Sequence, residues 1–194
     1  LGQFGNEAMG CSGLPLFASP SVLETLAKRE ALGPFSATEV VPMERFGPSE
    51  GCGFGMEFVP VPHRDEHADT HAVVIRGPSR SVLFLPDHDD WAQTLGRHGA
   101  SSIRQWLSDL GVDIALLDGS FWDSSELPGR DMSEIPHPTV TETLARLGEW
   151  VEGDAEIHFI HLNHSNPLLG LGPEVEELSD LGWQVAVQGQ QFAL

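Results

Sequence analysis

Cysteine is scarce, long apolar runs are absent and positive charge is in short supply, and each shortage narrows what this chain does. Two cysteines, Cys11 and Cys52, in 194 residues are too few and too scattered for a disulfide framework or a Cys-based zinc site. They read as free thiols in a reducing compartment. No stretch approaches the roughly 20 apolar residues of a membrane span. Ten Lys and Arg stand against 29 Asp and Glu, a formal net charge of −19. Nucleic-acid binders present a basic face, so this balance argues against a broad phosphate-contacting surface and reads as a solvated acidic exterior. The chain opens at Leu1 with no charged leader region or cleavage site, and the natural N-terminus is expected to lie upstream. The expected compartment is the cytoplasm. The expected partner is a small-molecule substrate, with room for a homodimer and no role for nucleic acid or membrane.

What remains is an ordinary globular composition, 40% hydrophobic and 20% charged, sized for one domain with a real core. Residues 2–10 read as helix and Leu16–Ala18 as a strand. Pro20, behind Ser19, starts a helix that runs to about Arg29. Residues 31–54, rich in Gly and Pro, read as loop with one short strand. Met56–Val61 alternates as a strand does. Ala72–Arg76 and Ser81–Leu85 flank the hairpin signal Gly77-Pro78-Ser79-Arg80. Ser101–Leu110 is an amphipathic helix, Ile114–Leu117 a buried strand, Thr139–Trp150 a helix, Ile157–Ile160 another buried strand and Glu174–Leu181 a helix. Trp183–Leu194 closes as a strand or hairpin. Strands alternating with helices, plus one antiparallel hairpin, make an α/β fold with a mixed sheet.

Four stretches share one form, an apolar strand running into metal-capable side chains: Val59–Asp65, Val82–Asp89, Ile114–Asp123 and Ile157–His164. His and Asp ligate Zn²⁺, Fe²⁺ and Mn²⁺, and strand ends are where α/β proteins put their chemistry. The segment His161-Leu162-Asn163-His164-Ser165-Asn166-Pro167 is the densest of them. His67 and His71 have the i, i+4 spacing of a helical zinc pair, but they lie in loop and strand, so the pair is rejected. His98 reads as solvent-facing. His158 falls on the strand face opposite His161. Asp65 reads either as a partner that orients His63 or as an exposed acid. His137, in Ile135-Pro136-His137-Pro138, is either an acid/base group or a helix-entry residue. Asp118 is either a carboxylate that orients a ligand His or a turn-forming Asp before Gly119. Both alternatives stand for each.

At these residues the chain resembles the metallo-β-lactamase-fold proteins, and within them those similar to coenzyme PQQ synthesis protein B. The resemblance is carried by Phe4-Gly5-Asn6-Glu7-Ala8-Met9-Gly10, Val61-Pro62-His63-Arg64-Asp65-Glu66, Phe84-Leu85-Pro86-Asp87, Leu117-Asp118-Gly119-Ser120-Phe121-Trp122, Ile135-Pro136-His137-Pro138 and Phe159-Ile160-His161-Leu162-Asn163-His164-Ser165-Asn166-Pro167. It implies a single metallo-β-lactamase-like domain over 1–194, an αββα sandwich with mixed sheets and a metal site at one rim. By the same resemblance His63, Asp87 and His161 are metal ligands, with Asp87 the bridging carboxylate. Asp118 and His137 match a carboxylate–imidazole pair that assists proton transfer, although the family's carboxylate is Glu. His164, Asn163 and Asp65 fall beside the metal or on the substrate side. The family's H-x-H-x-D-H motif is absent from this sequence. In relatives it lies just before the segment that begins here at Leu1, so the chain is expected to be the C-terminal part of the full fold, without its first strands.

The function this implies is a metal-dependent hydrolase that uses Zn²⁺, or alternatively Fe²⁺ or Mn²⁺, to direct water at an ester or phosphoester-type bond. Two alternatives come with it: a non-catalytic binding or carrier protein, and an iron-dependent oxygenase related to PQQ biosynthesis.

Overall fold

The computed structural model describes residues 12–131 and 135–194. The helix expected over residues 2–10, Cys11 and the Phe4–Gly10 segment lie outside them. Strand β1 (Leu14–Ala18) leads into helix α1 (Pro20–Lys28), where Ser19 caps the N-terminus by accepting from Val22 N and Pro20 takes the first helical position. Strand β2 (Phe35–Glu39) pairs with β1 in parallel, making a two-stranded sheet. The other strands are β3 (Arg45–Phe46), β4 (Gly55–Val61), β5 (Thr70–Arg76), β6 (Ser81–Leu85), β7 (Ile114–Asp118), β8 (Glu156–Ile160) and β9 (Gln184–Val185). They form one seven-stranded mixed sheet in that order.

The direction of the strands is what positions the site. Strand β5 runs antiparallel to both β4 and β6, so β4 and β6 point the same way. Strands β7, β8 and β9 continue in parallel from β6. The C-terminal ends of β4, β6, β7 and β8 therefore share one rim, and the loops leaving them begin at Pro62, Pro86, Gly119 and His161. One face of the sheet, through Val59, Val61, Ala72, Val74, Leu83, Leu85, Ala115, Leu117, Ile157 and Phe159, is the core. Helices α2 (Trp91–His98), α3 (Ile103–Asp109), α4 (Val140–Leu147) and α5 (Pro173–Asp180) bury Trp91, Trp106, Val140 and Leu178 against it. Alternate residues of a strand reach the same face, and this set keeps that period.

Several expected elements differ. Residues 31–54 hold two strands, because β2 finds a partner in β1 and β3 one in β4. Helix α2 replaces the polar stretch expected around His98: Asp90 caps it by accepting from Gln93 N at 2.7 Å, Gly99 ends it at φ 66°, and Trp91, Thr94 and Leu95 give it a narrow buried stripe. His98 does not face solvent alone; its Nε2 lies 2.8 Å from the Pro60 carbonyl and its ring lies against Trp106. Helix α4 stops at Leu147 rather than Trp150, since Gly148 has φ 66° and the Arg104 guanidinium takes the Leu147 and Glu149 carbonyls. At the C-terminus only Gln184–Val185 pairs as strand.

Candidate metal centre

Cross-loop backbone bonds draw the four strand ends together. Asp89 N donates to Pro62 O at 2.7 Å, tying the loop after β6 to the loop after β4. Gly119 N donates to Ile160 O at 2.9 Å and Asn163 N to Ser120 O at 3.0 Å, tying the ends of β7 and β8. Asn166, buried, anchors the same junction by donating from Nδ2 to Gly119 O at 2.7 Å. Two side chains at this rim carry the backbone in the left-handed region: Arg64 at φ 44°, just after His63, and His161 at φ 60°. Non-glycine residues adopt it at a cost and often where function demands a particular side-chain direction.

The result is a carboxylate surrounded by imidazoles. Asp87 Oδ1 lies 3.8 Å from His63 Nε2, 3.8 Å from His137 Nε2 and 3.7 Å from His161 Nδ1. These separations are too long for hydrogen bonds. They suit ligands of a shared ion, because two atoms each about 2.0–2.2 Å from one cation lie no more than ~4.4 Å apart. Two sets of side chains bring their ligand atoms within 4.8 Å of one another: His63, Asp87 and His137, and Asp118, His137 and His161. The donors are imidazole and carboxylate, the set that Zn²⁺, Fe²⁺ and Mn²⁺ accept, so the residues present fit a metal ion.

His137, from the loop before α4, belongs to both sets. Its Nδ1 lies 2.7 Å from Asp118 Oδ2, and the Asp118 side chain is wholly buried. A carboxylate only accepts, so His137 Nδ1 carries a proton, and Nε2 is the nitrogen that faces Asp87. Burial opposes charging the ring, but the hydrogen bond and charge of Asp118, with Asp87 adding, hold the His137 pKa above the ordinary imidazole value. The other Asp118 oxygen accepts from Ser120 N at 2.9 Å. Ser120 Oγ lies 2.9 Å from His161 Nδ1 and 3.3 Å from His137 Nδ1, linking the two rings.

His63, Asp87, Asp118, His137 and His161 are thus brought together. Asn163 lies beside them, donating from Nδ2 to Ser165 Oγ at 2.6 Å, and that hydroxyl donates on to Glu126. His164 is exposed and belongs to neither set. Asp65 lies 3.9 Å from Arg97; the carboxylate beside His63 Nδ1 is Asp89, with Oδ1 at 3.2 Å. His71 pairs with Asp69, and His158 packs on Phe192. Sequence reasoning missed Asp89 and Ser120. The signal for Asp89 was its place two residues after Asp87, where an extended segment returns to the same side.

His88, between the two carboxylates, points into the core instead, edge-on to Trp91 with ring centroids 4.5 Å apart. Thr94 Oγ1 donates to Asp90 O at 2.8 Å and so accepts from His88 Nδ1 at 2.9 Å. Burial pushes the His88 pKa down to about 4. A cleft lined by Asp89, Asp90, Ile135, His137 and Glu142 opens beside His137.

No curated protein sequence matches the chain significantly. Among solved structures it is similar to Zn²⁺-bound PqqB from Methylobacterium extorquens, at 19% identity and TM-score 0.68, covering 94% of this chain and 65% of that one. It is similar to a diphosphatase from the PhnP family, at 18% identity and TM-score 0.54, covering 98% and 63%. It is also similar to a metallo hydrolase from the archaeon Ignicoccus hospitalis, at 14% identity and TM-score 0.53, covering 89% and 64%. The chain therefore spans a little under two thirds of the length of these structures, and likeness at this identity speaks for the fold. The family described as "Beta-lactamase superfamily domain" matches residues 6–162, and with the mixed sheet and the His/Asp rim already in view, the chain belongs to the metallo-β-lactamase superfamily.

Proposed function

We propose that this chain contributes to a metal-dependent hydrolase in which water attacks an ester or phosphoester-type bond at the rim of β4, β6, β7 and β8. The observation that carries the reading is Asp87 Oδ1, nearly equidistant from three imidazole nitrogens. His63 and Asp87 in one ligand set and His161 in the other are the residues that would hold metal, Zn²⁺ first and Fe²⁺ or Mn²⁺ as alternatives. A bound ion would supply Lewis acidity and a water of lowered pKa.

The chain's own residues do the rest. Asp118 fixes the His137 proton on Nδ1, leaving Nε2 to take a proton from an attacking water or, once protonated, to return it to a leaving oxygen. Ser120 holds the His161 ring against the same assembly. The Asp118–His137 pair places an oriented imidazole at the rim, the arrangement that proton transfer during turnover calls for. Two similar structures, a diphosphatase and a metallo hydrolase, agree with hydrolysis as the class.

The test is metal content and hydrolysis together. Purified without chelator, the protein should hold metal near stoichiometrically and cleave a chromogenic phosphodiester such as bis(4-nitrophenyl) phosphate. His161→Ala should lower both, with hydrolysis down about 100-fold or more. His67→Ala, at an exposed ring outside both sets of ligands, should leave both unchanged. Equal effects from the two substitutions, or wild-type protein without metal, would sink the proposal.

A further inference from the structure

Asp89 belongs to no ligand set, yet it meets the His63 segment twice, through its carboxylate and through its backbone. Its Oδ1 lies 3.2 Å from His63 Nδ1. Both atoms are shielded from water and neither makes a hydrogen bond among the described residues, so their contact is one of charge and proximity. Its backbone N–H holds Pro62 O, the residue before His63, at 2.7 Å. On the other side, Thr70 Oγ1 donates to the His63 carbonyl at 2.7 Å. The backbone of His63 is thus pinned from both flanks, and the remaining freedom is the rotation of its ring.

A ligand imidazole needs one nitrogen bare and the other carrying the proton. Alone in solution either nitrogen carries it, and a ring free to flip presents the wrong one part of the time. The negative charge of Asp89, 3.2 Å from Nδ1, favours the form with the proton on that nitrogen. Nε2 is then the bare nitrogen, and Nε2 is the atom that faces Asp87 Oδ1 at 3.8 Å. One short loop therefore brackets one ring: Asp87 at one nitrogen, Asp89 at the other, with His88 between them turned into the core.

We infer that Asp89 is the positioning residue of His63: it holds the proton on Nδ1 and fixes the ring so that Nε2 is presented toward Asp87 as a metal ligand. The inference rests on the metal reading proposed above and assigns the rim a carboxylate–imidazole pair besides Asp118–His137. Asp89 touches no substrate in this role and acts only through His63.

Two readouts test it, neither of which needs turnover. In metal-free protein, long-range ¹H–¹⁵N spectra report which His63 nitrogen carries the proton: Nδ1 in wild type, with Nε2 gaining it in Asp89→Ala. Zinc affinity, from competition with a chromophoric chelator, should weaken about 10- to 100-fold in Asp89→Ala, the usual cost of losing a carboxylate behind a ligand His. Asp89→Asn keeps the volume and a neutral acceptor and should lose less, roughly 3- to 10-fold; it carries the test if the alanine variant does not fold. Wild-type protein that takes up no zinc overturns the metal reading and this inference together. Wild-type protein that binds zinc, with both variants within about twofold of it and the His63 proton unmoved, overturns the Asp89 assignment alone.

Discussion

Asp118 and His137 lie 19 residues apart in the chain and meet at 2.7 Å, the carboxylate completely buried and the ring mostly so. The pair decides the charge state of His137, since burial by itself would lower the ring's pKa. Asp118→Asn removes the anion and leaves the burial. His137 should then titrate below an ordinary imidazole instead of above it, a reversal of sign that an NMR titration of metal-free protein reads directly. If the pKa of His137 stays raised in the variant, Asp118 is not its cause. A raised pKa also carries a stability signature: its contribution is complete below the unfolded imidazole's pKa and is lost as pH rises through the folded one.

His88 works in the opposite direction. Its ring is fully buried, and its pKa is pushed down to about 4 by that burial. Between about pH 6.5 and 4 the unfolded chain binds a proton that the folded chain refuses, so stability falls as the solution is acidified, by ~3 kcal/mol for a shift of this size. Urea unfolding at pH 7, 5.5 and 4 should show this decline, and His88→Leu should flatten it. Two other histidines with lowered pKa values, His71 and His158, both lowered chiefly by burial, contribute in the same sense and leave a residual slope. A variant with the wild-type slope would show that His88 is not the titrating group.

The fold was legible in the sequence wherever periodicity and punctuation agreed. Met56–Val61, Ser81–Leu85 and Ile157–Ile160 are short apolar runs bounded by turn residues, and each lies within an observed strand, β4, β6 and β8. Helix α2 was illegible because its buried stripe is only Trp91, Thr94 and Leu95, one of them polar. Strands β2 and β3 were legible only as one short strand somewhere in residues 31–54, because their existence depends on partners: β2 is mostly exposed, and only pairing with β1 makes it a strand. The site shows the same division. Ligand-capable residues could be read at the strand ends, since residue type and position suffice for that. Which carboxylate stands behind His63 could not, because Asp65 and Asp89 are equally acidic and the choice follows from the bond between Asp89 N and Pro62 O.

Gly119 sits where the ends of β7 and β8 are stitched together, and there is no room for a side chain. A Cβ at this position would lie 3.0 Å from the Ile160 carbonyl oxygen, from Leu162 Cδ2 and from Phe159 Cβ. Two of those atoms belong to the strand backbone or its first side-chain carbon and cannot swing aside. Gly119→Ala should cost about 1–3 kcal/mol by overpacking, read as a lower urea midpoint. It should also weaken zinc binding, because the same junction sets Ser120 against His161. Gly129→Ala places its Cβ in open space but at φ 85°, so it costs stability through backbone strain alone and should leave zinc affinity untouched. Zinc affinity that falls equally in both variants would mean that general destabilisation, not the β7–β8 junction, is responsible.

Metal binding should appear as stability. An ion that binds the folded chain and not the unfolded one stabilises by RT ln(1 + [L]/Kd), ~2.7 kcal/mol at a hundredfold excess over Kd. The rim is where the ion would act, with Asp87 at 35% side-chain exposure and His161 at 46% open to an ion from solvent. Adding zinc should therefore raise the melting temperature of the wild-type protein, and chelator should reverse the rise. His161→Ala and Asp87→Ala should melt close to metal-free wild type and shift little when zinc is added, since each removes a ligand without opening the core. An equal zinc shift in all three proteins would place the bound ion elsewhere on this strongly acidic surface, and the rim between β4 and β8 would lose its claim to it.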